Sequence, residues 1–481
     1  MLVAGIDQGT TSTKGVLLGA DGIVAPLPGR AHAQDFPHAG WVEQQAPELL
    51  ANVTASIEAA VAAGARVVGI ANQGETVGAW DRDTGEPLAP AIVWQDQRTA
   101  PEIARMAADG LAAEVTARSG LPLDSYFSAS KLRWLLDHAP GARTLAGKGR
   151  LGLGTSDSYF IERLTGRYAT DATTAARTSL MHLADCTWDP TLCELFGVPI
   201  EALPEIVDDR QPIGDVATAC GPATLCAGVV DQVATLYGHG CRRPGSGKVT
   251  IGTGAFALIL ASDGRPEAAP PGSVLTAAWP RRNGRAYAAE GGVYSAAAAI
   301  DWLLRIGVLR DHAELAALDG DRAARTGIFF VPALSGLAFP HWDRSAAGLF
   351  IGLDAGTTRE TMIKAVLEGI AFRIAEVLDG LGFAPGAPVP VDGGLARSPW
   401  FIRALADFSG HPLRVRDGIE LTALGVAQLA AAVATGTDAA DYRPLTDEAP
   451  PPVQPMLDPD TALSLRQRFT EARGRAQGWR R

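Results

Sequence analysis

One pattern occurs twice in this chain, at its start and again about halfway along. In the first copy, two apolar runs flank the loop Asp7–Lys14, whose sequence is DQGTTSTK. In the second copy, two apolar runs flank Gly252-Thr253-Gly254. Short apolar runs bounded by glycine, threonine and aspartate predict strands that are joined by a tight loop. Two matching strand–loop–strand starts therefore predict two copies of one α/β fold that face each other across a cleft.

The rest of the sequence fits two large domains, at 1–240 and 241–481. A chain of 481 residues is too long for one ordinary hydrophobic core. The segment 242–247, RRPGSG, has the composition of a linker at the proposed boundary. Apolar residues recur at helical spacing between the strands, so we expect strands to alternate with helices in mixed or parallel sheets. The clearest helical stretches are 47–63, 130–137 and 358–381.

Composition and charge exclude several classes of protein. Hydrophobic residues make up 47% of the chain and charged residues 20%, which indicates a globular rather than a disordered or fibrous chain. The formal net charge of −11 repels phosphate backbones, so we expect no nucleic-acid partner. The five cysteines have no CxxC spacing and no neighbouring HxxxH. They indicate reduced thiols of a cytosolic protein rather than a disulfide framework or a zinc site.

No segment predicts export or insertion into a membrane. Asp7 interrupts the apolar N-terminus where a signal peptide needs an unbroken core. The most apolar later stretch, 423–436, contains Gln428 and is shorter than the ~20 residues of a membrane-spanning helix. We therefore expect a cytoplasmic protein with no membrane partner, in which 423–436 forms a buried, alanine-rich helix.

The two glycine-containing loops suit phosphate. Glycine lets the backbone approach closely, so that amides and hydroxyls reach phosphate oxygens. Either loop alone is also typical of a tight hairpin with solvated hydroxyls, but two loops at matching places would aim at one polyphosphate. Lys248 does not complete a P-loop, because Val249 follows it and Arg242 stands where the first glycine belongs. No GxGxxG with the acidic partner of a dinucleotide site follows a strand.

Several segments together resemble the FGGY family of carbohydrate kinases, over most of the chain. Residues 7–12 resemble the family's first phosphate loop, 252–254 the second, and Asp392-Gly393-Gly394 the adenosine-binding segment. The stretch 126–135, YFSASKLRWL, fits the family's first signature. The resemblance implies an α/β fold of two actin-like (ribonuclease H-like) domains with an active-site cleft between them. It also implies ATP and Mg²⁺ as cofactors, and transfer of the γ-phosphate to a hydroxyl of a small polyol or sugar.

The resemblance assigns a polyol site residue by residue. Asp231, in the segment GVVDQ at 228–232, is the implied catalytic base and a substrate contact. A carboxylate can accept the proton of the attacking hydroxyl if it lies within hydrogen-bonding distance. The other implied substrate contacts come from NQGET, IVWQD, the first signature, GVVDQ and the second loop, and they are Glu75, Trp94, Tyr126, Gln232 and Phe256.

Gly74 departs from this pattern, because the family's polyol kinases carry an arginine at that place. Glycine offers no guanidinium to adjacent hydroxyls and leaves room. This predicts either weak affinity for glycerol or a longer substrate, a four- or five-carbon polyol or ketose. The alternative is that a neighbouring arginine, Arg98 or Arg177, reaches into the same space and restores the usual specificity.

The resemblance also implies the nucleotide and metal contacts. Asp7 ends the first strand and is the implied magnesium partner, since a hard cation takes oxygen ligands from a carboxylate and from ATP. The implied ATP contacts are Thr10, Thr11, Ser12, Lys14, Gly252, Thr253, Gly254, Gly336, Gly393, Gly394 and Ser398.

Two classes of function are consistent with these patterns. The first is an ATP-dependent kinase for glycerol or a related polyol. Ketopentose and tetritol kinases of the same family are alternatives, because 396–399, ARSP, is closer to the ketopentose kinases. The second is a non-catalytic actin-fold nucleotide sensor or assembly subunit, against which the presence of both Asp7 and Asp231 argues. A homodimer and a homotetramer both stay open as assemblies.

Overall fold

A computed structural model describes residues 1–22, 24–264, 266, 270–416, 420–442 and 450–480. Within these ranges the strands before the middle of the chain are β1 (Val3–Gln8), β2 (Ser12–Leu18), β3 (Val24–Ala31), β4 (Glu43–Gln44), β5 (Val67–Asn72), β6 (Val77–Asp81), β7 (Ala91–Ile92), β8 (Leu151–Thr155), β9 (Ala169–Thr170), β10 (Met181–His182), β11 (Thr187–Trp188), β12 (Glu205–Ile206), β13 (Gly214–Thr218) and β14 (Gly221–Val230). The later strands are β15 (Gly247–Ile251), β16 (Ala255–Gly264), β17 (Val274–Arg281), β18 (Gly284–Val293), β19 (Phe329–Val331), β20 (Leu349–Ile351), β21 (Val389–Asp392) and β22 (Leu413–Val415).

The helices lie between these strands and after them. They are α1 (Ala46–Ala62), α2 (Ala100–Ala108), α3 (Ala112–Ser119), α4 (Ser128–His138), α5 (Ala142–Gly147), α6 (Ser156–Thr165), α7 (Ala172–Ala175), α8 (Pro190–Phe196), α9 (Asp231–Gly238), α10 (Ala297–Arg305), α11 (Arg359–Leu381), α12 (Pro399–Ser409), α13 (Leu421–Thr435) and α14 (Pro459–Ala476). Short 3-10 turns cover Ile200–Ala202, His312–Ala316, Ala323–Thr326 and Gly394–Arg397. In the described part of the chain, none of these helices has the length and hydropathy to cross a membrane.

Two six-stranded sheets share one plan. The first has the order β13-β14-β5-β1-β2-β3 and the second the order β17-β18-β16-β15-β21-β22. In the first, β1 pairs antiparallel with β2 and parallel with β5. In the second, β15 pairs antiparallel with β16 and parallel with β21. The duplicated α/β fold that the repeated strand–loop–strand pattern predicted is therefore confirmed.

The predicted elements lie close to where the sequence patterns placed them. The helical stretches 47–63, 130–137 and 358–381 correspond to α1, α4 and α11. The apolar runs around the two glycine-containing loops form β1 with β2 and β15 with β16. The segment 242–247 joins α9 to β15, but Arg242 is buried there and its guanidinium donates to the side chain of Gln428 over 3.0 Å. The stretch thus packs into the molecule more tightly than its linker composition suggested.

The alanine-rich helix α13 lies against the first sheet, although it comes near the end of the chain. A Cβ on Gly5 of β1 would lie 1.9 Å from the carbonyl oxygen of Ala423, and one on Gly69 of β5 would lie 2.6 Å from that of Val426. These separations are shorter than any real Cβ contact, so only glycine lets the backbones approach this closely. The core around α13 also contains β16 and β17 residues such as Leu258 and Ala278. The helix therefore connects the two halves of the protein.

Gly425 provides a test of this close packing. Its Cβ would lie 1.8 Å from the carbonyl oxygen of Ala234 in α9. A Gly→Ala change inside a helix normally stabilises it by roughly 0.5–1 kcal/mol, but here the added methyl must displace a backbone. We expect Gly425→Ala to lower the free energy of unfolding by about 1–3 kcal/mol, measured by urea denaturation.

Gly474 is the matched control, since it lies in α14, is exposed, and has open space where a Cβ would be, with no atom within 4 Å. Gly474→Ala should leave stability unchanged or raise it. Equal stabilisation by both substitutions would contradict the packing of α13.

Candidate active site

Trp94 and Tyr126 form an aromatic wall next to the first predicted phosphate loop. Trp94 follows β7, and its indole N–H donates to the hydroxyl of Thr10 over 3.0 Å. Its ring meets that of Tyr126 edge-on, with the centroids 5.6 Å apart. Tyr126 is fixed in turn by α4, because the ammonium of the buried Lys131 donates to its carbonyl oxygen over 2.7 Å. The predicted substrate wall and the predicted phosphate loop are thus in direct contact.

Glu75 belongs to a buried cluster of charges. Its backbone φ is 58°, an uncommon conformation for a residue other than glycine, which turns the chain after β5. Its carboxylate accepts from Nε of Arg177 over 2.5 Å, and Nη2 of the same guanidinium donates to Glu290 over 3.3 Å. All three side chains are at least nine-tenths buried. Burial raises the pKa of Glu75, and the positive charge of Arg177 opposes that shift.

The space beside Gly74 is occupied from another part of the chain. A Cβ on Gly74 would lie 2.8 Å from Cγ2 of Val230 and 3.9 Å from Cγ of Arg177. Nη1 of Arg177 is buried and has no hydrogen-bond partner among the described residues. Arg98 has a different role, since its guanidinium bonds Asp96 and Glu43 over 2.8 Å each. Of the two arginines that the sequence offered as alternatives, Arg177 is the one that reaches this space.

Asp231 begins α9 at the end of β14. Its carboxylate accepts from the backbone amide of Gln232 over 2.6 Å. Burial, followed by the negative charge of Glu75, raises the pKa of Asp231 to about 7. The side-chain oxygen of Gln232 accepts from the ammonium of Lys248 over 2.5 Å, and Lys248 also donates to the hydroxyl of Thr250 over 2.8 Å. The lysine thus joins the Asp231–Gln232 segment to the strand that precedes the second loop.

Asp7 lies in β1, directly before the first loop. Its Oδ1 is buried and has no hydrogen-bond partner among the described residues. Burial raises the pKa of Asp7 to about 8, and the negative charges of Asp231 and Glu420 add to the effect. An unpartnered carboxylate oxygen beside a second carboxylate is suited to a cation. Among the described residues there is no cluster of three or more His, Cys, Asp or Glu side chains that could hold a metal ion.

The first loop is held by side chains around it. The amide of Gly9 donates to the carbonyl of Ser12 over 3.1 Å and closes the turn. The carbonyl of Thr10 accepts from the side chain of Gln44 over 2.7 Å, and the carbonyl of Thr11 accepts from the amide of His32 over 3.2 Å. Because these carbonyls bond to the protein, the hydroxyls and remaining amides can face a ligand. Lys14, on β2, extends to an exposed ion pair with Glu420 over 3.0 Å.

The second loop connects to the start of α10. The carbonyl of Gly252 accepts from the amide of Ala297, and that of Thr253 from Ala296, both over 3.0 Å. Phe256 lies two residues after the loop and is partly buried. A Cβ on Gly254 would lie 3.2 Å from its ring. The loop is thus anchored through its carbonyls, with Phe256 packed against it.

The predicted adenosine segment lies beside the second loop, because β21 pairs with β15. Gly393 has a φ of 97°, and a Cβ there would lie 2.3 Å from the carbonyl oxygen of Ile251. Gly394 begins a short 3-10 turn, and no atom lies within 4 Å of a Cβ placed on it. Ser398 caps α12, with its hydroxyl accepting from the amide of Phe401 over 3.3 Å. Gly336 has a φ of 88° and lies in the turn after β19.

Sequence reasoning did not assign four charged residues of this site. Arg177 was considered only as an alternative to an arginine at 74, and Lys248 only as a P-loop lysine. Lys131 lies within the first signature but was given no role, and Glu290 lies in no quoted motif. Lys248 shares one face of β15 with Thr250, opposite Val249 and Ile251, and is buried. A buried lysine rarely occurs without a partner, but the alternating sequence alone gives no sign of that burial.

Comparisons with known proteins cover both halves of the chain. The N-terminal domain model of the FGGY family of carbohydrate kinases matches residues 2–238, and the C-terminal domain model matches 247–434. Glycerol kinase of Koribacter versatilis is 38% identical, with 99% of this chain and 98% of that protein covered. Glycerol kinase of Alkalilimnicola ehrlichii is 40% identical, with 100% and 99% covered. The crystal structure of Plasmodium falciparum glycerol kinase with ADP has a TM-score of 0.89 and 27% identity, with 99% and 98% covered.

The buried cluster around Arg177 predicts a large loss of stability when the arginine is removed. Arg177→Met removes the cation that bonds both Glu75 and Glu290. We expect the free energy of unfolding at pH 7 to fall by about 3–5 kcal/mol. The loss should shrink as the pH is lowered, because protonation of a carboxylate with a raised pKa relieves the repulsion.

Two further variants sharpen the measurement. Arg105→Met, which removes an exposed arginine paired with Glu102, should change stability by at most about 0.5 kcal/mol. Adding Glu290→Gln to Arg177→Met should recover part of the loss. An Arg177→Met protein as stable as the Arg105→Met control would refute the cluster.

Proposed function

Since the chain belongs to the FGGY family of carbohydrate kinases and is an ATP-dependent phosphotransferase that acts on an alcohol group, we propose that its acceptor is glycerol. The observation that carries this proposal is the guanidinium of Arg177 at 2.5 Å from Glu75. It is a planar cation paired with the carboxylate of Glu75, the residue that directly follows Gly74. Relatives named glycerol kinase, 38% and 40% identical over nearly the whole chain, support the same substrate.

The space beside Gly74 decides between glycerol and a longer acceptor. An empty pocket there would favour a four- or five-carbon polyol or ketose. Arg177 and Val230 both border the position that a side chain at 74 would take, so little room is left. Nη1 of Arg177 has no protein partner in the described part of the chain and is available for a substrate hydroxyl. Tetritol and ketopentose kinases of the same family therefore become the second choice.

The polyol would lie between the aromatic wall and the carboxylates. Trp94, Tyr126 and Phe256 offer apolar surface to the carbon skeleton, while Glu75 and Gln232 offer polar atoms to its hydroxyls. A small polyol needs both kinds of contact, because its C–H groups favour apolar surface and its hydroxyls need hydrogen-bond partners. The bond from Lys248 to Gln232 orients the amide, so that its nitrogen is the end left for a substrate oxygen.

Asp231 is proposed as the base. As the acceptor oxygen forms its bond to the γ-phosphorus and the bond to the β,γ-bridging oxygen breaks, the acceptor's proton passes to the carboxylate of Asp231 and ADP departs. A pKa of about 7 keeps this carboxylate basic enough to take the proton near neutrality. A non-catalytic nucleotide sensor would have no use for such a carboxylate.

The nucleotide would span the two loops. We propose that the amides and hydroxyls of the first loop and of residues 252–254 contact the phosphates, with Lys14 close to them. We propose that Gly336, Gly393, Gly394 and Ser398 lie along the adenosine. Asp7, with its unpartnered Oδ1, would hold a magnesium ion that neutralises phosphate charge. The hydroxyl of Ser398 caps α12. Ser398 would therefore contribute to adenine binding by fixing the first turn of α12.

The raised pKa of Asp231 predicts the acidic limb of the pH profile. Only the ionised form of Asp231 can accept a proton, and its fraction falls as the pH drops below the pKa. We therefore expect kcat/KM for glycerol to fall about tenfold per pH unit below a pH of about 7. Asp231→Asn should lower kcat by roughly 10²–10⁴ and remove that limb, while ATP binding measured by calorimetry persists.

The matched control is Asp460→Asn, an exposed aspartate in α14. It should keep both the rate and the pH profile of the wild type. A wild-type profile that stays flat down to pH 5, or near-normal turnover by Asp231→Asn, would remove Asp231 from the mechanism.

The glycerol proposal predicts the order of substrates. We expect kcat/KM for glycerol to exceed that for erythritol and for D-xylulose by at least about 10-fold, because each longer acceptor must displace Arg177 or Val230. Coupled ADP release over this panel measures it. A preference for erythritol or xylulose would overturn glycerol as the acceptor but leave the phosphotransferase activity unaffected.

A further inference from the structure

Lys248 is a buried lysine that bridges the two large sheets. It lies in β15 of the second sheet, and its side chain reaches the start of α9, which directly follows β14 of the first sheet. Its ammonium donates to the side-chain oxygen of Gln232 over 2.5 Å and to the hydroxyl of Thr250 over 2.8 Å. The residue is fully buried. Lysine rarely occupies such a position unless its charge is partnered, so both bonds belong to the folded state.

Three carboxylates favour the charged form of Lys248. Burial lowers the pKa of the lysine, and the negative charges of Asp392, Glu290 and Asp231 oppose that shift. Hydrogen bonds from a charged donor are roughly twice as strong as those from a neutral one. The amide of Gln232 is therefore held more firmly than a neutral donor would hold it.

The strands beside Lys248 lead into the proposed nucleotide contacts. Thr250 lies in β15, which leads directly into the loop 252–254. It pairs with Asp392 of the neighbouring strand β21. Asp392 directly precedes Gly393 of the proposed adenosine segment. A nucleotide that contacts both segments therefore fixes the two strands on which the ammonium of Lys248 depends.

The helix α9 is tied to these two strands at both of its ends. At its start, the bond from Lys248 reaches Gln232, the second residue of the helix. At its end, Nε2 of the C-cap residue His239 and a carboxylate oxygen of Asp392 are hydrogen-bonded over 2.8 Å. Because Asp231 is the first residue of α9, the position of the proposed base depends on β15 and β21.

Given the proposed sites for glycerol and ATP, on which this inference rests, we propose that Lys248 is a positioning residue that couples nucleotide binding to acceptor binding. Of the two ties to α9, the lysine is the one that touches a proposed acceptor contact, Gln232. A nucleotide fixes β15, β15 fixes the ammonium, and the ammonium orients the amide towards the acceptor. Linkage makes the effect reciprocal, so a bound acceptor strengthens nucleotide binding by the same factor.

Calorimetry with glycerol and the non-hydrolysable ATP analogue AMP-PNP tests this coupling. In the wild type, saturating AMP-PNP with Mg²⁺ should strengthen glycerol binding at least about fivefold, and glycerol should strengthen AMP-PNP binding by the same factor. In Lys248→Met, which keeps an unbranched side chain but removes the ammonium, the factor should fall below about twofold. AMP-PNP alone should bind this variant within about threefold of the wild type, because the loop 252–254 is unchanged.

Two further variants separate coupling from a general loss of structure. Thr250→Val removes the hydroxyl that accepts from Lys248, and should lower the factor at least about twofold while each ligand alone binds within about threefold of the wild type. Lys148→Met, at the exposed end of α5, is the matched control and should keep the wild-type factor. A variant that is merely less stable has fewer folded molecules, but those molecules keep the factor.

The outcomes distinguish a failure of the coupling from a failure of the proposed function. A wild type that binds glycerol and AMP-PNP independently, or a Lys248→Met protein with the wild-type factor, would overturn the coupling and leave the kinase assignment intact. If Lys248→Met does not fold, Thr250→Val decides, since an unchanged factor in that variant also overturns the coupling. A wild type that neither binds nor phosphorylates glycerol would overturn the proposed acceptor and the coupling together.

Discussion

The close approach of α13 to the first sheet is the constraint on which the arrangement of the site depends. Glycines at 5, 69 and 425 allow backbone to meet backbone where any side chain would collide. The same helix packs on α9, and the hydroxyls of Thr422 and Thr235 bond over 2.8 Å. Because α9 begins at Asp231, the position of the proposed base follows from the position of α13. The two halves are thus joined by a shared core as well as by the chain between them.

Much of the fold could be predicted, since its signals are local. The helical spacing at 358–381 and the glycine-containing loops are visible within a few residues, and the structure confirms the elements that they predicted. The domain limits at 240 and 241 stay predictions. The docking of α13 could not be predicted, because composition revealed only that 423–436 is buried and not which sheet covers it. Which sheet α13 packs against depends on glycines several hundred residues away, and no local sequence pattern encodes that contact.

In the site, too, local motifs could be predicted and contacts between distant residues could not. Motifs supplied the loops, Asp231 and the aromatic wall, which the structure brings close to one another. The expectation from Gly74 was an enlarged pocket, with Arg98 or Arg177 as the alternative that restores the usual specificity. In the structure, Val230 and Arg177 border the position of a side chain at 74, and the guanidinium of Arg177, 102 positions beyond Glu75, bonds the Glu75 carboxylate. Lys248 was missed for a related reason. Its importance comes from the bond to Gln232, which depends on how β15 lies against α9.

The position of α13 has a consequence for synthesis on the ribosome. The strands of the first sheet are complete when Val230 has been added, but the helix that covers one face of this sheet ends at Thr435. At a translation rate of roughly 5–20 residues per second, that face waits on the order of 10–40 s for its cover. During this interval the nascent chain exposes apolar strand surface of the kind that chaperones bind. The first half of the gene product therefore emerges early and reaches its final fold late.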